Sequence, residues 1–308
     1  MQHLLTLQEC PASWAGEILD LAADVKADPA AYENRMHRKT LVMVFEKPSL
    51  RTRVSFEVGM NQMGGDAIFY DLTGSPMGSG KENLHDTVKT ISRYSDLVMA
   101  RLFRHEHLEE MAQHATIPVI NGLTDRSHPC QILADLLTIR EHKGQLKGLT
   151  LAYLGDSNNN VTHSLLTGCA MAGMSVRIGC PATEEFLPLP SVVDHASTEA
   201  ARQGAEVVVT DDPALAASGA DVVYADSWMS YHIPAEELEQ RKAQLMPYQV
   251  NEAVMGHAAD DAIFMNCLPA MRGYEQTAEV IDGPQSVVFD QAENRLHAQK
   301  AVMLKLLD

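Results

Sequence analysis

The sequence has few cysteines and lacks any long apolar run. Its five cysteines are odd in number, are scattered over positions 10 to 267 and include no CxxC pair. Cysteines in this arrangement fit reduced thiols, and they argue against a disulfide framework or a zinc site. No apolar run approaches the ~18 residues that a membrane-crossing helix needs. The first residues, MQHLLTLQECPASW, also lack the basic start and apolar stretch of a secretory signal, so we expect a cytoplasmic protein.

Basic residues are also scarce. The 308-residue chain has 24 Lys and Arg against 41 Asp and Glu, which gives a net charge of −17 at pH 7. Such a charge repels nucleic acids and anionic membranes, so the sequence predicts neither as a partner. Salt screens this field over ~8 Å, and arginines inside a cleft can therefore still bind a small anion.

Strand-like and helix-like patterns alternate along the whole chain. This alternation predicts an α/β fold with two doubly wound parallel-sheet domains and helices on both faces. The first domain is expected at residues 1–130, with the C-terminal helix 291–308 returning to it. The second is expected at 149–285, and 131–148 form an interdomain helix and connector. Strands are predicted at 40–45, 67–70, 97–100, 117–121, 149–154, 175–179, 206–210, 222–225, 262–265 and 286–290.

Polar or reactive side chains follow nearly every predicted strand. Ligands of open parallel sheets bind beyond the carboxyl ends of the strands, so these positions are the first candidates for a site. Any one of them has an ordinary structural explanation, but the whole set is hard to explain as surface decoration. The candidates are Ser49, Leu50, Arg51, Thr52, Arg101, His128, Gln131, Asn158, Asn159, Asn160, Asp226, Cys267 and Arg295.

The turn after the first predicted strand, in VFEKPSLRTRVSFEVG (44–59), concentrates cations and hydroxyls. Pro48 ends the strand, and the following apolar spacing predicts a helix whose first turn holds Ser49 to Arg53. The N–H groups and the dipole at a helix start favour an anion. An ordinary N-cap would explain Ser49. Two arginines at this end, however, are locally unfavourable unless an anion binds among them, so the stretch predicts a phosphate site.

Two stretches that resemble nucleotide-binding motifs do not fit them. In GSPMGSGKEN (74–83), Gly74 is one residue too far from Gly80, and Lys81 precedes Glu82 where a P-loop needs Ser or Thr. YLGDSNNN (153–160) follows a predicted strand but lacks the glycine spacing of a dinucleotide site. The sequence therefore predicts neither an NTPase nor a hydride-transfer enzyme.

Six ordered motifs resemble the aspartate/ornithine carbamoyltransferase family over essentially the whole chain: SLRTR, HPCQILAD, GDSNNN, DSW, CLPA and FDQAENR. The resemblance implies a carbamoyltransferase that moves a carbamoyl group from carbamoyl phosphate to an amine and releases phosphate. It also implies no metal and no cofactor, and a homotrimer, or a multiple of trimers, of two-domain subunits. The first domain would hold carbamoyl phosphate, and the second the amine, with L-ornithine as the leading acceptor.

The resemblance also implies a role for each candidate residue. Arg101, His128 and Cys267 would be catalytic, with Cys267 positioning the reactants rather than acting as a nucleophile. The carbamoyl phosphate site would comprise Ser49, the backbone of Leu50, Arg51, Thr52, Arg101, His128, Gln131, Cys267, the backbone of Leu268, and Arg295. The ornithine site would comprise Asn159, Asn160, Asp226, Ser230 and Tyr231.

Several positions depart from the usual pattern of the family's ornithine enzymes, among them Leu50 and Pro76, and three of the departures concern the amine site. Asn266 stands where histidine usually precedes Cys-Leu-Pro, and Tyr231 and His232 replace Met-Gly after Ser230. These residues are expected to line the amine pocket. An acceptor such as putrescine or an acylated ornithine is therefore the alternative to ornithine. A catalytically silent binding subunit on the same fold is the alternative from another class of protein.

Overall fold

A computed structural model describes residues 3–229 and 233–308. Its strands are β1 Thr40–Phe45, β2 Asp66–Asp71, β3 Leu97–Arg101, β4 Val119–Leu123, β5 Thr150–Leu154, β6 Ser175–Gly179, β7 Val207–Thr210, β8 Val222–Ala225 and β9 Ile263–Asn266. Its helices are α1 Trp14–Ala27, α2 Leu50–Gln62, α3 Leu84–Tyr94, α4 His105–His114, α5 Pro129–Lys143, α6 Asn160–Met171, α7 Pro190–Gln203, α8 Pro213–Ala217, α9 Leu238–Leu245, α10 Glu252–Met255, α11 Ala278–Ile281 and α12 Val288–Leu307. None of the helices in these described ranges is long and apolar enough to cross a membrane.

The chain divides into two compact units. The first contains Met1–Leu137 and Glu293–Asp308, and the second contains Thr138–Ala292. Each unit is built on one parallel sheet, with strand order β2-β1-β3-β4 in the first and β7-β6-β5-β8-β9 in the second. The predicted fold class, with two doubly wound parallel-sheet domains, is confirmed.

The central strands β1 and β3 of the sheet in the first unit are apolar and buried, as expected for a parallel sheet whose faces helices cover, whereas the edge strand β2 is largely exposed. Leu41 to Phe45 of β1 are all buried, as are Leu97 to Arg101 of β3. The two strands pair in parallel with Phe45 opposite Arg101, so both strands end at the same level. The chain leaves β1 toward β2 on one side and continues with β3 on the other. That reversal of strand order is where doubly wound sheets bind ligands.

The sheet of the second unit has the same kind of reversal beside its central strand, β5. The chain moves outward from β5 to β6 and β7, and then returns to place β8 on the other side of β5. Leu154, at the end of β5, lies opposite Ala225, at the end of β8. Ala225 in turn lies opposite Asn266, at the end of β9. The loops that follow these three strands therefore begin side by side.

The strand predicted at 286–290 is wrong. Ser286 makes only an isolated parallel bridge with Phe264, and α12 already begins at Val288. Local sequence favours a strand here because Val287, Val288 and Phe289 are apolar in succession. Tertiary packing prevails instead. The side chain of Gln291 accepts the N–H of Asn266 at 3.0 Å, where the backbone of a longer strand would otherwise pair.

Candidate active site

The start of α2 confirms part of the local interpretation of the sequence. Ser49 is the N-cap, and its hydroxyl oxygen accepts the N–H of Thr52 at 3.3 Å. In any α-helix the first N–H groups have no partner inside the helix. In α2 these include the N–H groups of Leu50 and Arg51. The side chain of Leu50 is 73% exposed, so only its backbone is suited to binding a polar ligand.

The two arginines of this turn differ in their surroundings. Arg53 is exposed, forms an ion pair with Glu57 at 3.4 Å and lies over the ring of Phe69 at 4.0 Å. Arg51 is half-buried and lies one residue before the buried Thr52. Arg53 is therefore accounted for as a surface residue, and Arg51 is the arginine of this turn that suits an anion.

Arg295 of α12 brings together side chains that lie far apart in the sequence. Its guanidinium donates to Gln131 Oε1 at 2.8 Å and to Thr52 Oγ1 at 3.3 Å. All three side chains are at most 2% exposed. Gln131 Nε2 also donates to Asp135 Oδ1 at 2.8 Å, which turns the amide so that its oxygen faces Arg295. The starts of α2 and α5 and the middle of α12 thus converge on one buried guanidinium.

His128 precedes α5 and is buried among cations. Burial lowers its pKa well below 6.5, and the charges of Arg295, Arg101 and Lys47 lower it further. Both causes disfavour the charged ring. The imidazole is therefore neutral at physiological pH, and it can donate one hydrogen bond without adding to the positive charge.

Lys47 is the residue of this group that the sequence interpretation missed. It follows β1, is 8% exposed and lies 4.8 Å from the centre of the Phe103 ring. Burial lowers its pKa to about 8, and the charge of Arg101 contributes, while Asp125 and Glu46 act in the opposite direction. Its position directly after a strand was the available signal, but a lysine in a turn is usually exposed.

The cations of the first unit are held together at an energetic cost. Lys47, Arg101 and Arg295 are all buried, and each of them lowers the pKa of His128. Buried like charges raise each other's energy, and desolvation adds to the penalty. Part of this is offset by Glu46 and Asp125, which raise the pKa of Lys47. A small dianion with several oxygen acceptors would relieve the rest.

In the second unit, Asp226 and Cys267 lie together because of strand register. Ala225 and Asn266 are paired, so the residues that follow them leave the sheet side by side. The Cys267 thiol donates to Asp226 Oδ1 at 3.1 Å, and both side chains are half-buried. The pair places a carboxylate and a thiol beyond the carboxyl ends of two neighbouring strands, and these groups suit a cationic or amine ligand.

Asn159 and Asn160, which follow β5, have different surroundings. Asn159 is the N-cap of α6, and its side-chain oxygen accepts the N–H groups of Val161 and Thr162 at 2.9 Å each. Its amide nitrogen donates to Asp156 O, so both ends of the amide serve the fold. Asn160 is half-buried and starts α6. Of the two, Asn160 is better suited to bind a ligand, and the role of Asn159 in ligand contact remains a prediction.

The expectation that Asn266 lines the amine pocket is wrong. Asn266 is fully buried, and its side chain donates to Gln276 Oε1 at 3.0 Å and accepts from the N–H of Leu268 at 2.8 Å. Ser230 and Tyr231, which were predicted to bind ornithine, lie outside the described residues, as does His232. Across the described residues, no group of three or more His, Cys, Asp or Glu side chains is placed to hold a metal ion.

Known proteins with similar sequences and structures agree on one family. The family description "aspartate/ornithine carbamoyltransferase, carbamoyl-P binding domain" matches residues 2–141, and "Asp/Orn binding domain" of the same family matches 147–306. An ornithine carbamoyltransferase from Bacillus subtilis is 49% identical over 306 residues, which are 99% of this chain and 94% of that protein.

Solved structures give the same result. The ornithine carbamoyltransferase of Pyrococcus furiosus has a TM-score of 0.93 and 45% identity, covering 98% of this chain and 96% of its own. An acetylornithine transcarbamylase complexed with acetylcitrulline has a TM-score of 0.89 but 31% identity, covering 99% of each chain. The chain belongs to the aspartate/ornithine carbamoyltransferase family.

Proposed function

We propose that the protein transfers the carbamoyl group of carbamoyl phosphate to the δ-amine of L-ornithine, which yields L-citrulline and phosphate in arginine metabolism. The observation that carries the proposal is the group of buried cations in the first unit, with Arg295 bonded to Thr52 and Gln131. These contacts connect three of the family motifs, SLRTR, HPCQILAD and FDQAENR. The family domain that matches residues 2–141 is described as binding carbamoyl phosphate.

The first unit supplies the residues for the donor. Ser49, Arg51, Thr52 and the backbone of Leu50 bind the phosphate at the start of α2, where N–H groups and guanidinium complement its oxygens. Arg101 and His128 surround the carbamoyl oxygen together with Gln131. His128 suits this role because a neutral imidazole is a hydrogen-bond donor that gives no proton away.

The reaction proceeds by addition of the amine and elimination of phosphate, with no covalent enzyme intermediate. The neutral δ-amine attacks the carbamoyl carbon and forms the new C–N bond, which places negative charge on the carbamoyl oxygen. Collapse of this intermediate breaks the bond between the carbamoyl carbon and the bridging oxygen, and the electron pair of that bond leaves with the phosphate. The attacking amine gives up one proton, which the departing phosphate accepts. Donors from Arg101, His128 and Thr52 stabilise the oxyanion, where one donor is worth ~3 kcal/mol. Arg51 and Arg295 stabilise the charge on the leaving phosphate.

The second unit supplies the residues for the amine. Asp226 binds the α-ammonium group, Asn160 orients the amino acid, and Ser230 and Tyr231 complete its site. Cys267 and the backbone carbonyl of Leu268 position the δ-amine. A half-buried thiol that donates to Asp226 fits positioning better than covalent catalysis, because the bond directs its hydrogen to the carboxylate. We further propose that the enzyme is cytoplasmic and forms homotrimers.

The test compares acceptors directly. Purified protein is given carbamoyl phosphate with L-ornithine, N-acetylornithine or putrescine at equal concentrations, and the carbamoylated product is measured. We expect the highest kcat/KM with ornithine. A clear preference for putrescine or for N-acetylornithine would replace ornithine as the acceptor. No product with any amine, from a folded protein that binds carbamoyl phosphate, would favour a silent binding subunit.

A further inference from the structure

Residues 266–276, here called the β9 exit loop, begin at the end of β9 and carry Cys267. Asn266, the first residue of the loop, is fully buried, and its side-chain oxygen, side-chain nitrogen and backbone N–H each form a hydrogen bond. Its side-chain oxygen accepts the N–H of Leu268 at 2.8 Å, and its side-chain nitrogen donates to Gln276 Oε1 at 3.0 Å. Its backbone N–H donates to Gln291 Oε1 at 3.0 Å. Asn266 thus ties the first residues of the loop to its last residue and to α12.

The backbone that Asn266 holds is in an unusual conformation. Leu268 has a φ of 54°, in the left-handed region. A leucine there costs ~1 kcal/mol or more relative to its ordinary conformations, so the surroundings must hold it in place. The bond from Leu268 N–H to Asn266 Oδ1 spans one intervening residue, Cys267. This is an Asx-turn, which fixes the backbone on both sides of the thiol.

A second tie joins the β9 exit loop to the neighbouring strand exit. Glu275 is 2% exposed, and its carboxylate accepts the N–H of Met271 at 2.9 Å and that of Trp228 at 3.2 Å. Trp228 lies two residues after Asp226. The position of Cys267 relative to Asp226 is therefore set by the pairing of β8 with β9, by Glu275 and by Asn266.

We infer that Asn266 is a positioning residue, which holds the Cys267–Leu268 turn against Asp226 through its bonds to Leu268 and Gln276 and does not contact the acceptor. The consequences for turnover rest on the proposed function. Loosening the turn lowers kcat, because misplacement of reacting groups by about 1 Å can cost ~100-fold in rate. Acceptor preference stays the same, so asparagine in place of histidine at 266 is no reason to expect an acceptor other than ornithine.

The experiment uses two variants and one matched control. Asn266→Ala removes both side-chain bonds of Asn266. Gln276→Ala removes the partner of the Asn266 amide nitrogen and also the bond from Gln276 Nε2 to Met271 O at 3.3 Å, and it leaves the bond between Asn266 and Leu268 in place. The control, Asp212→Ala, likewise removes two hydrogen bonds of one side chain in the second unit, in this case both with backbone N–H groups. There, Asp212 Oδ1 accepts the N–H groups of Ala214 and Leu215 at 2.9 and 3.1 Å at the start of α8. The thermal midpoint of each variant is measured first, so that loss of stability is known separately.

The two readouts are the alkylation rate of Cys267 by iodoacetamide, followed by peptide mass spectrometry, and kcat and KM for ornithine and putrescine. In Asn266→Ala we expect faster alkylation and a kcat lowered by about tenfold or more. The ratio of kcat/KM for ornithine to kcat/KM for putrescine should stay within about twofold of the wild-type ratio. A residue that contacted the acceptor would change this ratio by more, since contact with a single methylene of a substrate is already worth more than about twofold. Gln276→Ala should change both readouts in the same direction by less, and Asp212→Ala should change neither.

Three results would overturn the inference. A shift of acceptor preference in Asn266→Ala would mean that Asn266 contacts the amine. Unchanged alkylation and kcat in a less stable Asn266→Ala would mean that its role is only structural. If Asn266→Ala does not fold, unchanged readouts in Gln276→Ala would have the same meaning. Absence of citrulline from the wild-type protein would refute the proposed function instead, and the alkylation rates would still test the turn.

Discussion

Replacement of Arg295 by methionine should weaken the use of carbamoyl phosphate more than it weakens the fold. Methionine fills similar space without charge or donors. The guanidinium donates to two neutral acceptors, Gln131 Oε1 and Thr52 Oγ1, both buried. Loss of these donors destabilises the fold by ~1–3 kcal/mol. Part of this loss is offset, because the buried positive charge of Arg295 no longer acts on His128.

The effect on the donor substrate should be larger. One charge-assisted hydrogen bond from Arg295 to the phosphate is worth ~1.5–3 kcal/mol, which corresponds to about 10- to 150-fold in kcat/KM for carbamoyl phosphate. Initial rates of citrulline formation at saturating ornithine measure this ratio. Arg53→Met is the matched control, because Arg53 is exposed and pairs with Glu57. It removes the same charge from the protein and should change the ratio by less than about twofold.

The reasoning is refuted if Arg295→Met keeps the wild-type kcat/KM for carbamoyl phosphate. It is also refuted if Arg53→Met loses as much, since the loss would then follow net charge rather than the buried contacts. Circular dichroism and thermal midpoints show whether both variants remain folded during the assay.

Three further predictions follow from the same contacts. The pKa of Lys47 is about 8 in the folded protein and 10.5 in the reference state, so the unfolded chain binds more protons between these values. The free energy of unfolding should therefore rise by about 1.5 kcal/mol more in wild type than in Lys47→Met between pH 8 and 9.5, as urea titrations measure. Thr52→Val removes the hydroxyl bonded to Arg295 and should lower kcat by ~10²-fold, while KM for ornithine changes little. Cys267→Ser should keep measurable turnover, because no covalent intermediate is needed, and complete loss in a folded variant would contradict the positioning role.

Local chemistry predicted the parts of the site that depend on neighbours in sequence. The N-cap at Ser49 and the helix that follows it were readable, because capping and the first turn involve only adjacent residues. The alternation of strands and helices likewise predicted that Asp226 and Cys267 each follow the end of a strand, but not that the two strands are neighbours. Their contact at 3.1 Å depends on the register of β8 and β9.

Features that depend on tertiary packing were not readable. Gln131 and Arg295 are 164 positions apart, and only the fold places them 2.8 Å from each other. The lowered pKa of Lys47 follows from its burial, and the position of a lysine after a strand does not indicate that the side chain is buried. Spacing could not tell that Asn159 is committed to capping α6, or that Asn266 faces the interior. The strand predicted at 286–290 failed because α12 begins at Val288 despite a local run of β-formers.

The most direct test of the account is a calorimetric titration of carbamoyl phosphate into the folded wild-type protein with no amine present. The buried cations of the first unit predict saturable binding of one molecule per chain, weakened in Arg295→Met and retained in Arg53→Met. Absence of saturable heat in the wild-type protein would contradict the assignment of the first unit to the phosphorylated donor.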